Sequence, residues 1–279
     1  MHRLIVLAAM AILLVLPSRA LAGSIFITGH DPIWHSGMGG NFVGAQNLAT
    51  TGIEFARSGS TLPFLFIESN DPVPSGNAYT EPFLVSALGY TAADFVAMDA
   101  AALMALADFR TALNGFSAIV VASDHGGMLS ADELQFLNAH STDVIDYLNA
   151  GGGLYAEAES NATGMIGSTP RFGFLPFLVS SSDFQSAESG NTVTAFGASL
   201  GLVNSDVNGN FSHNFFSSTG GMIPVDLFNG NQSIPLSLAF RGQIGEEGTI
   251  PEVPEPASMT LLITGLAVGA ARKYRSRKP

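Results

Sequence analysis

The chain has 279 residues with 11 basic and 23 acidic side chains and no cysteine; 47% of it is hydrophobic and only 12% charged. Without cysteine there can be no disulfide, no thiolate metal site and no thiol nucleophile. Residues 23–250 hold four arginines, no lysine and 21 acids, a formal charge of −17 that repels phosphate and excludes nucleic acid as a partner.

Residues 1–22 have the layout of a secretory signal peptide. His2 and Arg3 precede an apolar run from Leu4 to Leu16, and Ala20-Leu21-Ala22 places small side chains where signal peptidase reads, predicting a mature start at Gly23. As a helix those 13 residues would span about 20 Å, short of a ~30 Å hydrocarbon core, which favours cleavage over anchoring.

Ser24–Thr28 is a short β-branched apolar run ending at Gly29-His30-Asp31 and reads as a buried strand. After a Gly-rich turn, Phe42, Ala45, Leu48, Ala49, Ile53 and Ala56 recur at helical spacing. Pro63–Ile67 is a second apolar run, followed by Glu68-Ser69-Asn70-Asp71. Residues 80–88 predict a short helix, 95–98 a strand, and the alanine-rich stretch to about Leu113 one further helix. Ala118–Ala122 is the clearest strand and ends at Ser123-Asp124-His125-Gly126-Gly127. Ser130 with Glu133 three positions on forms a capping box. The apolar face of Leu134, Leu137, Val144, Ile145 and Leu148 follows, with Asn138–Thr142 as a break that Ser141 or Thr142 would recap. Gly151-Gly152-Gly153 stops that helix and Leu154–Ala158 enters another strand. Strands that are apolar on both faces and alternate with helices imply a parallel sheet covered on both sides. From about Gly164 helical periodicity fades and short β-like runs appear at 192–196, 223–228 and 234–240. This reads as an irregular, β-rich completion of the same domain.

A strand ending in Ser-Asp-His-Gly-Gly, then Leu-Ser-x-x-Glu-Leu, a helix and Gly-Gly-Gly-Leu-Tyr-Ala resembles the middle of class I glutamine amidotransferase-like domains. The similarity is greatest to the non-amidotransferase branch with ThuA-like proteins. The resemblance implies a flavodoxin-like layered α/β fold over residues 23–245, with a mostly parallel sheet. The family's nucleophilic Cys would follow the strand at Leu154–Ala158. This chain has Glu157, Glu159 and Ser160 there, so the family's glutaminase chemistry is lost.

In open parallel sheets ligands bind beyond the carboxyl ends of the strands. Those ends place His30, Asp31, Asp71, Asp124, His125 and Glu159 together as candidates, with His35 five residues after His30 on a glycine-flanked loop. Imidazoles mixed with carboxylates suit a divalent cation such as zinc, manganese or iron, whereas calcium prefers oxygens alone. A metal-bound water would be the nucleophile in a catalytic version. The plainer alternative is that Asp caps turns and His satisfies backbone groups at strand ends. No tight ligand motif and no Gly-x-Ser-x-Gly elbow occurs, and Gly37–Gly40 is too short for a phosphate loop. Asp206-x-Asn208-x-Asn210 opens like a calcium loop but has Phe211 where the turn needs Gly, so a solvated turn is expected. Phe172, Phe174, Phe177, Phe211, Phe215 and Phe216 could form a sugar platform, but core packing is the better expectation.

After a linker at 246–252, residues 253–279 read Val-Pro-Glu-Pro-Ala, an apolar run from Ser258 to Ala271, and a cluster with five basic residues from Arg272 to Lys278. The prolines hold the leading segment extended, and the basic cluster should stay on the cytoplasmic side of a membrane. The order Pro254-Glu255-Pro256, short apolar helix, basic tail resembles the PEP-CTERM sorting signal of exopolysaccharide-producing Gram-negative bacteria. That resemblance implies cutting by an exosortase: an inner-membrane precursor, then an envelope or matrix protein. The expected role is binding or structural, with exopolysaccharide as a candidate partner. An exported metal-dependent hydrolase, with carbohydrate as its candidate substrate, is the alternative.

Overall fold

The computed structural model describes residues 23–69, 80–123, 129–157, 170–175 and 179–245. Five parallel strands form its frame: β1 (Gly23–Thr28), β2 (Phe64–Ile67), β3 (Phe95–Met98), β4 (Ala118–Val121) and β5 (Gly153–Glu157). Between them run α1 (Pro32–Gly37), α2 (Phe42–Arg57), α3 (Glu81–Ser86), α4 (Ala100–Met104), α5 (Phe109–Leu113), α6 (Ala131–Ala139) and α7 (Ser141–Asn149). The later part adds β6 (Ser180–Ala187), β7 (Thr192–Val193), α8 (Ala195–Ser199), β8 (Phe211–Ser218), β9 (Ile223–Leu227) and β10 (Pro235–Gly242). The main sheet has eight strands in the order β3-β2-β4-β5-β1-β10-β9-β7, and β6 pairs with β8 apart from it. The last three strands of the sheet are antiparallel to their neighbours, so the chain is a layered α/β fold with a β-rich C-terminal part.

The period-2 alternation of the strands sorts their side chains onto two faces. Ile25, Ile27, Leu65, Ile119 and Leu154 pack with Leu134, Leu137, Val144 and Leu148 of α6 and α7. Phe26, Phe64, Phe66, Val120 and Tyr155 pack with Leu48, Ala49, Ile53 and Ala56 of α2. Phe26 and Tyr155 stack at 5.9 Å between ring centroids on neighbouring strands, an arrangement that adds to their area burial. Because β1 and β5 sit mid-sheet under α2 on one side and α7 on the other, their carboxyl ends are held rigidly.

Several local expectations change. The alanine-rich segment forms two helices, because Asp99 and Asp108 each cap a new start with bonds from Ala102 N and Thr111 N. The break near 140 is present, but His140 is the residue preceding α7 and no hydroxyl recaps it. The β-like run at 192–196 ends early, since the Thr194 hydroxyl accepts from Gly197 N and starts α8. A helix, α1, stands in what reads as the start of a Gly-rich turn. Phe172, Phe174 and Phe216 are core residues, while Phe211 is about half exposed. Among the described residues no helix is long and apolar enough to cross a membrane. The signal peptide, Phe177, the linker and the tail fall outside the described residues, whereas Gly23, the expected mature start, is the first residue of β1.

Candidate functional site

The carboxyl end of β1 is where charged side chains enter the interior. Gly29 continues the strand: its N–H donates to Leu236 O at 2.7 Å, and its carbonyl accepts from His213 N at 2.8 Å. A Cβ at Gly29 would lie 1.8 Å from the Asn214 carbonyl oxygen, so only glycine lets β8 close over this strand end. His30 then bridges to Ser212 of β8.

His30 is buried between two carboxylates. Its Nδ1 contacts Glu188 Oε1, its Nε2 lies 2.8 Å from Asp226 Oδ2, and the Ser212 hydroxyl donates to Glu188 Oε1 at 3.2 Å. Burial opposes charge on this ring, but Glu188 and Asp226 outweigh it and hold the His30 pKa well above its ordinary value. An imidazole with a carboxylate on each nitrogen has no lone pair left for a metal. His30 is therefore an internal tie between β1, β9 and the residue after β6.

Asp31 and His35 do something else. Asp31 precedes α1 at the N-cap position, where a carboxylate usually accepts from the first turn; it makes no such bond. The Ile33 N–H that a cap would take instead donates to Glu157 Oε1 at 3.0 Å, an oxygen that also accepts from the Tyr155 hydroxyl at 2.7 Å. Pro32 has no N–H to satisfy and presets the first turn. Released from capping, the Asp31 carboxylate turns toward two imidazoles. His35 Nε2 is 3.0 Å and His213 Nε2 is 3.3 Å from its Oδ1. One ligand atom from each of the three lies within 4.8 Å of the others.

Asp31 is 1% exposed, and its carboxylate faces the two imidazoles rather than the backbone of α1. Burial works against its charge, yet His213 and then His35 hold its carboxyl well below the usual carboxylate range. Burial also opposes charge on His35, and Asp31 outweighs it, raising that pKa. His35 Nδ1 is fixed by the Met38 carbonyl at 3.0 Å, a contact that Gly39 permits. Gly39 has φ +110°, and a Cβ there would sit 2.5 Å from the ring nitrogen. The His35 and His213 side chains are the slightly exposed parts, 12% and 10%, so the centre opens on their edges.

Asp31 and His35 thus come together as ligands, His30 is diverted, and His213 joins from a strand that sequence reasoning did not find. Asp71, Asp124, His125 and Glu159 lie outside the described residues. The calcium-like motif is a clamp. Asp206 accepts from Val203 N and Asn47 Nδ2, Asn208 Oδ1 from Asn191 N, and Asn210 Oδ1 from Asn41 N. Those bonds pin the turn at 204–210 to Asn41 before α2, to Asn47 within it and to Asn191 before β7. Compared with family models and with curated proteins, the chain matches none.

Proposed function

We propose that this chain is an exported protein of the PEP-CTERM kind. It leaves the cytoplasm by signal-peptidase cleavage before Gly23, is sorted and cut by an exosortase at Pro254-Glu255-Pro256, and is displayed in the envelope or exopolysaccharide matrix. Its α/β domain, ThuA-like in kind, binds rather than turns over. The observation behind this is the depth of the polar centre at β1: Asp31 is buried, and only imidazole edges reach the surface. Groups buried to that depth suit a small ligand better than a polymer chain. The Ser212 hydroxyl, hydrogen-bonded to an acid beside His30, is fully buried and donates to Glu188, so it is not placed to attack a substrate.

The second reading, a metal-dependent hydrolase, is favoured by the His35–Asp31–His213 geometry itself, because two imidazoles and a carboxylate are a ligand set of hydrolytic zinc enzymes. Purified full chain, assayed with chromogenic esters, phosphoesters and glycosides with and without added zinc or manganese, distinguishes the two. No turnover is expected. Hydrolysis that Asp31→Asn abolishes would replace the binding reading with the hydrolase.

A further inference from the structure

Resting on the reading that the β1 end is where the domain binds its ligand, we propose that Asp31, His35 and His213 hold one divalent transition-metal ion with zinc-like ligand preference.

The argument begins with the tautomer of His35. Met38 O can only accept, so the Nδ1 facing it at 3.0 Å carries the hydrogen. In a neutral ring Nε2 is then a bare lone pair, and it faces the Asp31 carboxylate at 3.0 Å. Two lone pairs at that distance repel, so the geometry calls for a positive charge between them, which a proton on Nε2 supplies without an ion and a bound metal ion would supply in its place. An imidazole that donates one N–H to a backbone carbonyl and turns its other nitrogen inward is the usual pose of a metal-ligating histidine.

Distances discriminate further. At zinc bonds of about 2.0–2.1 Å and tetrahedral angles, neighbouring ligand atoms are about 3.3 Å apart. Asp31 Oδ1 stands 3.0 Å and 3.3 Å from the two Nε2 atoms. Ligands that share an ion aim at the ion and past one another. Calcium would want more oxygens and longer bonds, and two imidazoles are a poor offer to it. The contrast with the adjacent His30 cluster is informative, because there each ring nitrogen already faces a carboxylate that accepts its hydrogen. Three protein ligands on a tetrahedral ion leave one position, which a water or a small anion would take from the side where the imidazole edges are exposed.

The test uses untagged full chain, stripped with chelator. Zinc, manganese, cobalt(II), magnesium and calcium are compared by calorimetric titration and thermal melting. One equivalent of zinc or cobalt should bind, and at a hundred times the dissociation constant melting should rise by on the order of 5–10 °C. Bound cobalt should give the intense visible absorption of a tetrahedral nitrogen–oxygen site. His35→Ala, at the end of a short surface helix, should abolish both effects, as should Asp31→Asn if it folds. His140→Ala, remote from the centre, should change neither. No stoichiometric binding of any transition metal would overturn the proposal, as would binding that survives His35→Ala or a shift with calcium alone. Export and tail cutting are read separately in cells, so failure of the metal site leaves that reading standing, and the converse also holds.

Discussion

Gly29 has the narrowest tolerance of any residue near the centre. Its N–H and carbonyl tie the end of β1 to β10 and to β8, and its missing side chain is the space the Asn214 carbonyl occupies. Gly29→Ala should push β8 outward, separate His213 from Asp31 and cost about 1–3 kcal/mol as an overpacked interior does. Urea unfolding measures it, and an unchanged midpoint would mean β8 does not close on that strand. Glu68, at the end of β2, carries a separate pH signature. Burial pushes its carboxyl from 4.5 up to about 7, although Thr80 donates to it through N–H and hydroxyl and Glu81 through N–H. A carboxyl whose folded value is raised binds more protons in the native state. Its contribution is favourable near pH 4.5 and is lost as pH climbs to about 7, by as much as about 3 kcal/mol. Stability of the wild type minus that of Glu68→Gln should therefore fall across this window; a flat difference would show that the three hydrogen bonds offset the burial.

Among the elements, α6 illustrates what could be read locally and what could not. Its Ser-x-x-Glu start is visible in the sequence, and Glu133 accepts from Ser130 N at 2.8 Å; that the same carboxylate also takes Ala100 N at 2.9 Å, tying α6 to α4, is not visible. Glu133→Ala should lower stability by about 1–3 kcal/mol, more than a surface cap alone, because buried donors on two helices lose their acceptor. Thermal melting checks this, and Glu133→Gln should recover part of the loss. Four of the five parallel strands are legible for a related reason, since each is buried along its whole length, while β3 at the sheet edge buries only Phe95. β8 is not legible. In Phe-Ser-His-Asn-Phe-Phe the neighbours Ser212, His213 and Asn214 are all buried, because the strand lies over a polar centre and alternation has no dry face to mark. β6 is polar and pairs with β8 apart from the main sheet. α1 has Pro32 as its local start signal, but the partner of its first N–H is Glu157, far along the chain. The site follows the same pattern. Strand-end position picks out His30, Asp31 and His35, but which of the histidines can ligate is decided by Glu188, Asp226 and His213, supplied by segments more than 150 residues away.

At the scale of the whole molecule, charge is divided unevenly along the chain. The stretch from 23 to 250 has a formal charge of −17, whereas five basic residues crowd the last eight positions. An acidic domain and a basic tail on either side of an apolar run suit a precursor held with its domain outside and its tail in the cytoplasm. The main sheet begins at Gly23, so cleavage between Ala22 and Gly23 would leave every described element intact. Amino-terminal sequencing of envelope protein should accordingly read Gly-Ser-Ile-Phe, and an intact Met1 would reject export by this route. The tail offers the sharper test, because its apolar run and its motif can be altered independently. On the proposed reading, Glu255→Ala spoils a receptor-read triplet while leaving the apolar run from Ser258 to Ala271 and the basic cluster as they are, so it should block cutting and leave membrane retention untouched. In a host with an exosortase, wild-type protein should lose the apolar run and basic cluster and leave the inner membrane, while the variant accumulates there at full precursor length. Deleting 272–278 instead should disturb orientation as well as processing, since it removes the charges that hold the tail inside. If Glu255→Ala is cut and released like the wild type, the triplet is not what the processing enzyme reads, and the chain reaches its destination by another route.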